Sequence, residues 1–252
     1  MSKRLWYVFA ISLVVLLAIG FYFRLAQQRT ELLYEQAFAP GSTREVSRSA
    51  IEKLARDGPH GRKLLLDAAM GRTATFSFAS QPQIEAVRAL RSSSDPTVAN
   101  ELASLLQPHN SLDLKMAVAQ TLQDLPCSRA CIESVLHYLE RIWHGDLNTE
   151  DEMIPQLGMT FSSKAEHDKL FKDLYSVLTR EGRETLSALE RIYGLGSENP
   201  ALFALDLLNH VQIAGACDPL HNSLLGMDRL PKGLFKSPRA QVDSALSAMN
   251  CK

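Results

Sequence analysis

The sequence predicts an all-α chain, an N-terminal transmembrane helix followed by an α-solenoid of stacked helical hairpins. Three observations carry this. Residues Leu5 to Phe23 run without a charge. Segment after segment from Ser42 onward carries one apolar stripe at helical spacing. And a short pattern recurs about every 30–40 residues, as helix-pair repeats require.

The apolar run comes first. It lies between a basic start, residues 1–4 with Lys3 and Arg4, and Arg24. At about 1.5 Å per residue it nearly spans the roughly 30 Å hydrocarbon layer. Trp6 and Tyr7 at one end and Tyr22 at the other suit the two membrane interfaces. Ala18 and Gly20 have the small-residue spacing of a signal-peptidase site. The run continues through Phe21, Tyr22 and Phe23, so a retained anchor bounded by Leu5 and Phe23 is preferred to cleavage near Gly20. Lys3 and Arg4 against Arg24 and Arg29 nearly tie on the positive-inside count. The basic pair abuts the run on a short, easily retained tail. The expected topology is therefore a cytoplasmic N-terminus with the body outside the cytoplasm, in the periplasm if the source is bacterial.

Residues 24–41 read as a juxtamembrane helical stalk ended by Pro40 and Gly41. Ser42-Thr-Arg-Glu45 has a capping-box pattern and opens the first repeat helix. Ile84, Val87 and Leu90 mark a helix, as do Val98, Leu102, Leu105 and Leu106, and Leu114, Val118, Leu122 and Leu125. Asp95-Pro96 starts the second of these, because the Asp oxygen can accept from free amides and a proline there has no N–H to lose.

Ile132, Val135, Leu136, Leu139, Ile142 and Trp143 form the widest stripe. Ser163-Lys-Ala-Glu166 is a second capping box, before Leu170, Phe171, Leu174, Val177 and Leu178. Leu186, Leu189 and Ile192 mark the next helix. Asn199-Pro200 opens the last clear one, with Leu202, Leu205, Leu208 and Val211. Beyond Gly215 the chain reads as irregular, 215–252, with one short helix near 240–249. The linker 72–81 carries Phe76 and Phe78, read as rings that plug the gap between repeats.

The repeat appears when Ala50-Ile-Glu-Lys-Leu54, Ala86-Val-Arg-Ala-Leu90 and Val118-Ala-Gln-Thr-Leu122 are aligned, spaced by 36 and 32 residues. Each is followed by a proline, Pro59, Pro96 or Pro126, and then by another apolar helix. These residues resemble the HEAT and armadillo-like family of helical repeats. The resemblance covers about 42–143 and extends toward 211, within an expected repeat domain 42–214. It implies a scaffold that presents a surface to a protein partner, and it carries over no catalytic residue.

Composition agrees with a packed helical body: 252 residues, 46% hydrophobic and 22% charged. A formal net charge of −1 gives no electrostatic reason to expect a nucleic-acid partner. Of the basic residues, Arg88, Arg91, Lys115 and Arg129 read as the wet face of the repeats.

Four cysteines, Cys127, Cys131, Cys217 and Cys251, all follow the apolar run. In an exported body they suggest disulfides, with three possible connectivities. Cys127–Cys131 and Cys217–Cys251 are preferred, the first lying at a helix start and the second tying down the tail. In a cytoplasmic body they would instead be four reduced thiols.

Cys217 and His221, with Cys251 or His210, match no zinc signature. Asp146, Asn148, Glu150 and Glu152 alternate like a calcium loop, but Asp151 and Leu157 stand where such a loop needs Gly and Glu. The chain contains no G-x-S-x-G, G-x-x-x-x-G-K-[ST], G-x-G-x-x-G or H-E-x-x-H. His137 and His144 lie on a helix without a partner motif. No catalytic residue, cofactor or metal is therefore assigned. The expectation is a membrane-anchored, non-enzymatic adaptor. The alternative is an exported hydrolase or lyase on an α/α scaffold whose catalytic residues the sequence does not reveal.

Overall fold

The computed structural model describes residues 3–39, 42–72, 81–107, 109–144, 164–228 and 236–251. At 3–11, 44, 164, 165, 228 and 236–238 only the helical backbone is described. Phe76 and Phe78, the acidic loop 146–152 and Ser163 lie outside the described residues.

Twelve α-helices and no strand occur among the described residues. In chain order they are α1 (Lys3–Phe38), α2 (Arg44–Arg56), α3 (Gly58–Ala69), α4 (Gln81–Ala89), α5 (Pro96–Ala103), α6 (Leu112–Leu122), α7 (Arg129–Trp143), α8 (Lys164–Arg180), α9 (Gly182–Tyr193), α10 (Leu202–Leu207), α11 (Cys217–Asp228) and α12 (Lys236–Ala248). The chain divides into two compact units, residues 1–90 and 91–252. The division falls just after α4, inside the sequence segment expected to pair α4 with α5.

In unit 1, α1 is a single 36-residue helix, about 54 Å long. Its two halves differ. Leu13, Val14, Val15, Leu16, Leu17, Ile19, Phe21, Tyr22 and Phe23 are each between 47% and 73% exposed, on every side of the helix. Thr30, Ala37 and Phe38 are buried, where α1 packs on α2 and α3. The segment expected as a free stalk is thus, from Thr30 onward, a wall of the unit 1 core. Among the described residues no helix is long and apolar enough to cross a membrane. Of the expected span, the side chains of Leu5 to Ile11 lie outside the described residues.

Local chemistry sets the unit 1 helix ends. The α2 cap is Thr43, whose hydroxyl accepts from the Val46 amide at 3.4 Å. This is one residue later than the expected capping box, because Ser42 is engaged elsewhere: its hydroxyl donates to the Gln36 carbonyl near the end of α1. The turn into α3 uses Gly58 at φ +79°, a conformation glycine adopts without penalty, with Pro59 in the first turn. The Thr30 hydroxyl donates to the Asp57 carboxylate at 2.5 Å, so this turn is tied to the middle of α1. Leu54, Leu65, Val87 and Leu90 fill the core.

In unit 2, Asp95 caps α5, accepting from the Thr97 amide at 2.9 Å. Helix α5 packs on α6 and α7, α7 on α9, α6 on α8, and α8 on α9. Leu102, Leu114, Leu122, Ile132, Leu136, Leu170, Leu174 and Leu189 are fully buried between them. The left-handed Gly194 (φ +66°) ends α9. Helix α10 starts at Leu202 and stops at Leu207, shorter than the expected run from Pro200 to Val211. Asn199 belongs to the preceding turn, its amide donating to the Ser197 hydroxyl at 3.2 Å.

The short helix expected near 240–249 is α12, and the tail holds a second helix, α11, that was not expected; the two pack on each other, with α12 also on α10. Pro219 and Pro238 do not break these helices. Each falls in the first turn of its helix, where no backbone hydrogen bond is lost.

Candidate functional site

Unit 2 carries an aromatic cleft where the end of α7, the middle of α8 and the end of α10 converge. An inner cavity of about 140 Å³ is lined by Leu139, Ile142, Trp143, Phe203, Asp206 and Leu207, together with Phe171, Tyr175 and His210. The last three also line an outer hollow of about 450 Å³ that reaches Asp168, Lys172, Ser176 and Thr179.

Helical spacing builds this site. Phe171 and Tyr175 are four apart on α8, so their rings stand over one another, 6.4 Å between centroids at 25°. Tyr175 lies parallel to the His210 ring, 5.4 Å away at 6°. Phe203 meets Trp143 at 6.2 Å and Tyr193 at 5.2 Å, both inclined. These are the offset and edge-to-face arrangements that aromatic quadrupoles favour. The Trp143 indole Nε1 donates to Asp206 Oδ2 at 3.2 Å. That bond holds the indole across the cleft while leaving it 41% exposed.

Electrostatics keep the phenols neutral. Burial, then the nearby Asp206 charge, hold Tyr175 above the usual tyrosine value near 10. Burial, then the Glu140 charge and hydrogen bond, push Tyr193 further in the same direction. The Tyr193 hydroxyl donates to Glu140 Oε2 at 3.0 Å. The cleft therefore offers apolar ring faces, the Tyr175 phenol hydroxyl, which stays protonated, and the half-buried Asp206 carboxylate. That set suits adhesion to a mostly apolar group with a polar end.

The residues singled out from sequence lie elsewhere. Cys127 is bonded to Cys131 at the start of α7, with 5.4 Å between Cα atoms. Cys217 is bonded to Cys251, with 5.5 Å between Cα atoms. Cys217 and Cys251 thus enter a disulfide and offer no thiolate to a metal. No group of three His, Cys, Asp or Glu among the described residues could hold a metal ion.

Of the expected wet-face cations, Arg88 pairs with Glu85 at 3.4 Å and Arg129 with Glu133 at 2.8 Å. Lys115 is a correction. It is only 1% exposed, its Nζ 6.0 Å from the centre of the Tyr138 ring, so the Tyr138 ring face attracts the ammonium. His137 lies 3.7 Å from Glu140, and His144 packs edge-on against Trp143.

The cleft itself was missed from sequence. Its one local signal was the four-residue spacing of Phe171 and Tyr175 and of Asp206 and His210. Trp143 and Phe171 had been absorbed into apolar stripes. No protein-family model, curated protein or solved structure matches the chain.

Proposed function

We propose that this protein is a membrane-anchored helical-repeat adaptor that holds a protein partner on the non-cytoplasmic side, with the unit 2 cleft as the partner's seat. The observation that carries the anchor is α1. From Leu13 to Phe23 its apolar side chains are exposed all round, and the same unbroken helix enters the unit 1 core. In water such a surface would be costly; in hydrocarbon it is matched. Two disulfides favour an oxidising compartment for the body.

The repeat reading is supported by helices that pack on their second neighbours among the described helices, α5 on α7, α7 on α9 and α6 on α8. Stacked hairpins make this pattern. Anchoring confines the cleft near the bilayer, so a membrane-resident partner meets it at high effective concentration. The hydrolase or lyase reading would have to draw on Asp206, Tyr175 and His210. Asp206 already accepts from Trp143, and Tyr175 is held protonated, which favours binding over proton transfer.

The test is to express the full chain in membranes, wash with alkaline carbonate, and crosslink from a photoreactive residue placed at Ser176. Retention in the membrane and one discrete crosslinked protein, lost in Trp143→Ala and Tyr175→Ala, are expected. Release by carbonate would end the anchor reading. Retention without any protein crosslink would end the adaptor reading.

A further inference from the structure

Charge is divided unevenly along the chain. Unit 1 carries 12 Lys and Arg against 7 Asp and Glu, a net +5; without Lys3 and Arg4, which precede the apolar run, 10 against 7 leave a net +3 on the body side. Unit 2 carries 15 against 21, a net −6. A near-neutral total conceals a basic unit on the anchor side of the chain.

The excess has a definite place. The hydrogen bond from Thr30 to Asp57 holds the α2–α3 turn beside α1. Thr30 lies seven residues beyond Phe23, the last residue of the apolar run, a rise of about 10 Å. The turn and its neighbours carry Lys53, Arg56, Arg62 and Lys63, and α1 adds Arg24 and Arg29. Lys53, Arg56, Lys63, Arg24 and Arg29 are exposed, and Arg62 is half-buried.

None of these six makes an ion pair with a described residue, whereas the exposed cations Arg48 and Arg72 are paired with Glu52 and Asp67. The one carboxylate within the turn, Asp57, accepts from Thr30. A polar headgroup layer of roughly 5–7 Å borders the hydrocarbon. Long basic side chains about 10 Å above the apolar run therefore stand about 3–5 Å from that layer, inside a screening length of roughly 8 Å.

We infer that the α2–α3 turn, with Lys53, Arg56 and Lys63 at its centre, is an anionic-lipid-binding surface that seats unit 1 on the bilayer. Basic residues this close to a membrane are drawn to anionic headgroups. Arginine and lysine both serve, since phosphate accepts the guanidinium fork and the ammonium alike. The lipid contact fixes the tilt of unit 1 about α1. This inference rests on the anchor reading above.

The test uses the full chain in lipid nanodiscs, made either of phosphatidylcholine alone or with a minority of phosphatidylglycerol. Hydrogen exchange is followed in the peptide spanning 53–63. Exchange is expected to slow severalfold with phosphatidylglycerol and to recover in high salt. K53Q/R56Q/K63Q is expected to abolish the slowing, and the exposed unit 2 control R91Q/K169Q/R183Q to leave it intact. The wild-type comparison needs no variant, so a folding defect does not blunt it. Equal exchange in the two lipid compositions, in a chain that resists carbonate extraction, overturns the inference while the anchor stands. A chain that carbonate extracts removes the anchor and this inference with it.

Discussion

The Arg180 guanidinium donates to the backbone carbonyl of Leu125 at 2.6 Å. It also reaches the Gln123 carbonyl and the neighbouring Glu181 carboxylate, and Glu181 accepts from the Cys127 amide at 3.4 Å. One ion pair at the end of α8 thus satisfies the free backbone groups that follow α6 and lead into the first disulfide. Helix ends leave such carbonyls without partners, and a fork-shaped donor can serve two at once.

Arg180→Met would leave the carbonyls short of a donor and Glu181 without its cation. We expect a loss of about 2 kcal/mol. Thermal unfolding of the full chain in mild detergent should fall by roughly 4–8 °C. Arg180→Lys should recover part of that loss, since it keeps the charge and gives up the fork. Equal loss in both variants would mean that the charge contributes nothing and the fork alone matters.

Gly61 lies inside α3, where alanine is ordinarily better by about 0.5–1 kcal/mol. Here the sign reverses. A Cβ at Gly61 would overlap the Leu54 carbonyl oxygen of α2 and lie 3.1 Å from Asp57 Cβ. The obstacle is backbone, which cannot swing aside, and overpacking of this kind costs about 1–3 kcal/mol. Gly61→Ala should therefore destabilise unit 1 by about 1–2 kcal/mol. Gly20→Ala, which meets nothing within 4 Å, should leave unit 1 unchanged. Denaturant unfolding of the two variants, read by exchange in α2 and α3, compares them.

What the sequence disclosed follows from the range of the forces involved. Asp95 and the apolar stripes of α5, α7 and α8 were legible because capping and helical periodicity act within a few residues. Helix α11 was not legible because a proline such as Pro219 ends a helix or opens one, and only the burial of Leu220 and Met227 against neighbouring helices decides. Lys115 was read as wet because nothing within its own turn announces the Tyr138 ring above it. The cleft was invisible for the same reason: Trp143 and Asp206, 63 residues apart, meet only after α7 and α10 have packed.

The two disulfides should differ in weight. In the chain-entropy description, closing the 34-residue span between Cys217 and Cys251 contributes about 4 kcal/mol, and the short Cys127–Cys131 loop about 2 kcal/mol. Cys217→Ser/Cys251→Ser should therefore lower stability to urea roughly twice as much as Cys127→Ser/Cys131→Ser. In the first variant, exchange in α12 should rise before the rest of unit 2 opens, since that bond pins Cys251, three residues past the end of α12, to the start of α11. Equal effects, or an α12 no looser than its neighbours, would contradict this.

Tyr193 supplies a pH test. Its folded-state pKa is raised by burial, then by the Glu140 charge and hydrogen bond. The folded form holds this proton more tightly than the unfolded chain, whose tyrosine titrates near 10. The contribution is therefore complete below pH 10 and is lost as pH climbs above 10 toward the folded value. Tyr175, raised by burial and Asp206, adds to the decline in the same direction. Tyr193→Phe should cost about 1 kcal/mol at neutral pH, because Glu140 loses a donor. The same variant should flatten the alkaline decline, so that it and the wild type converge as the pH rises above 10. Urea midpoints measured at neutral pH and through the alkaline range give both quantities. Parallel curves would mean that the hydroxyl is not the proton being held.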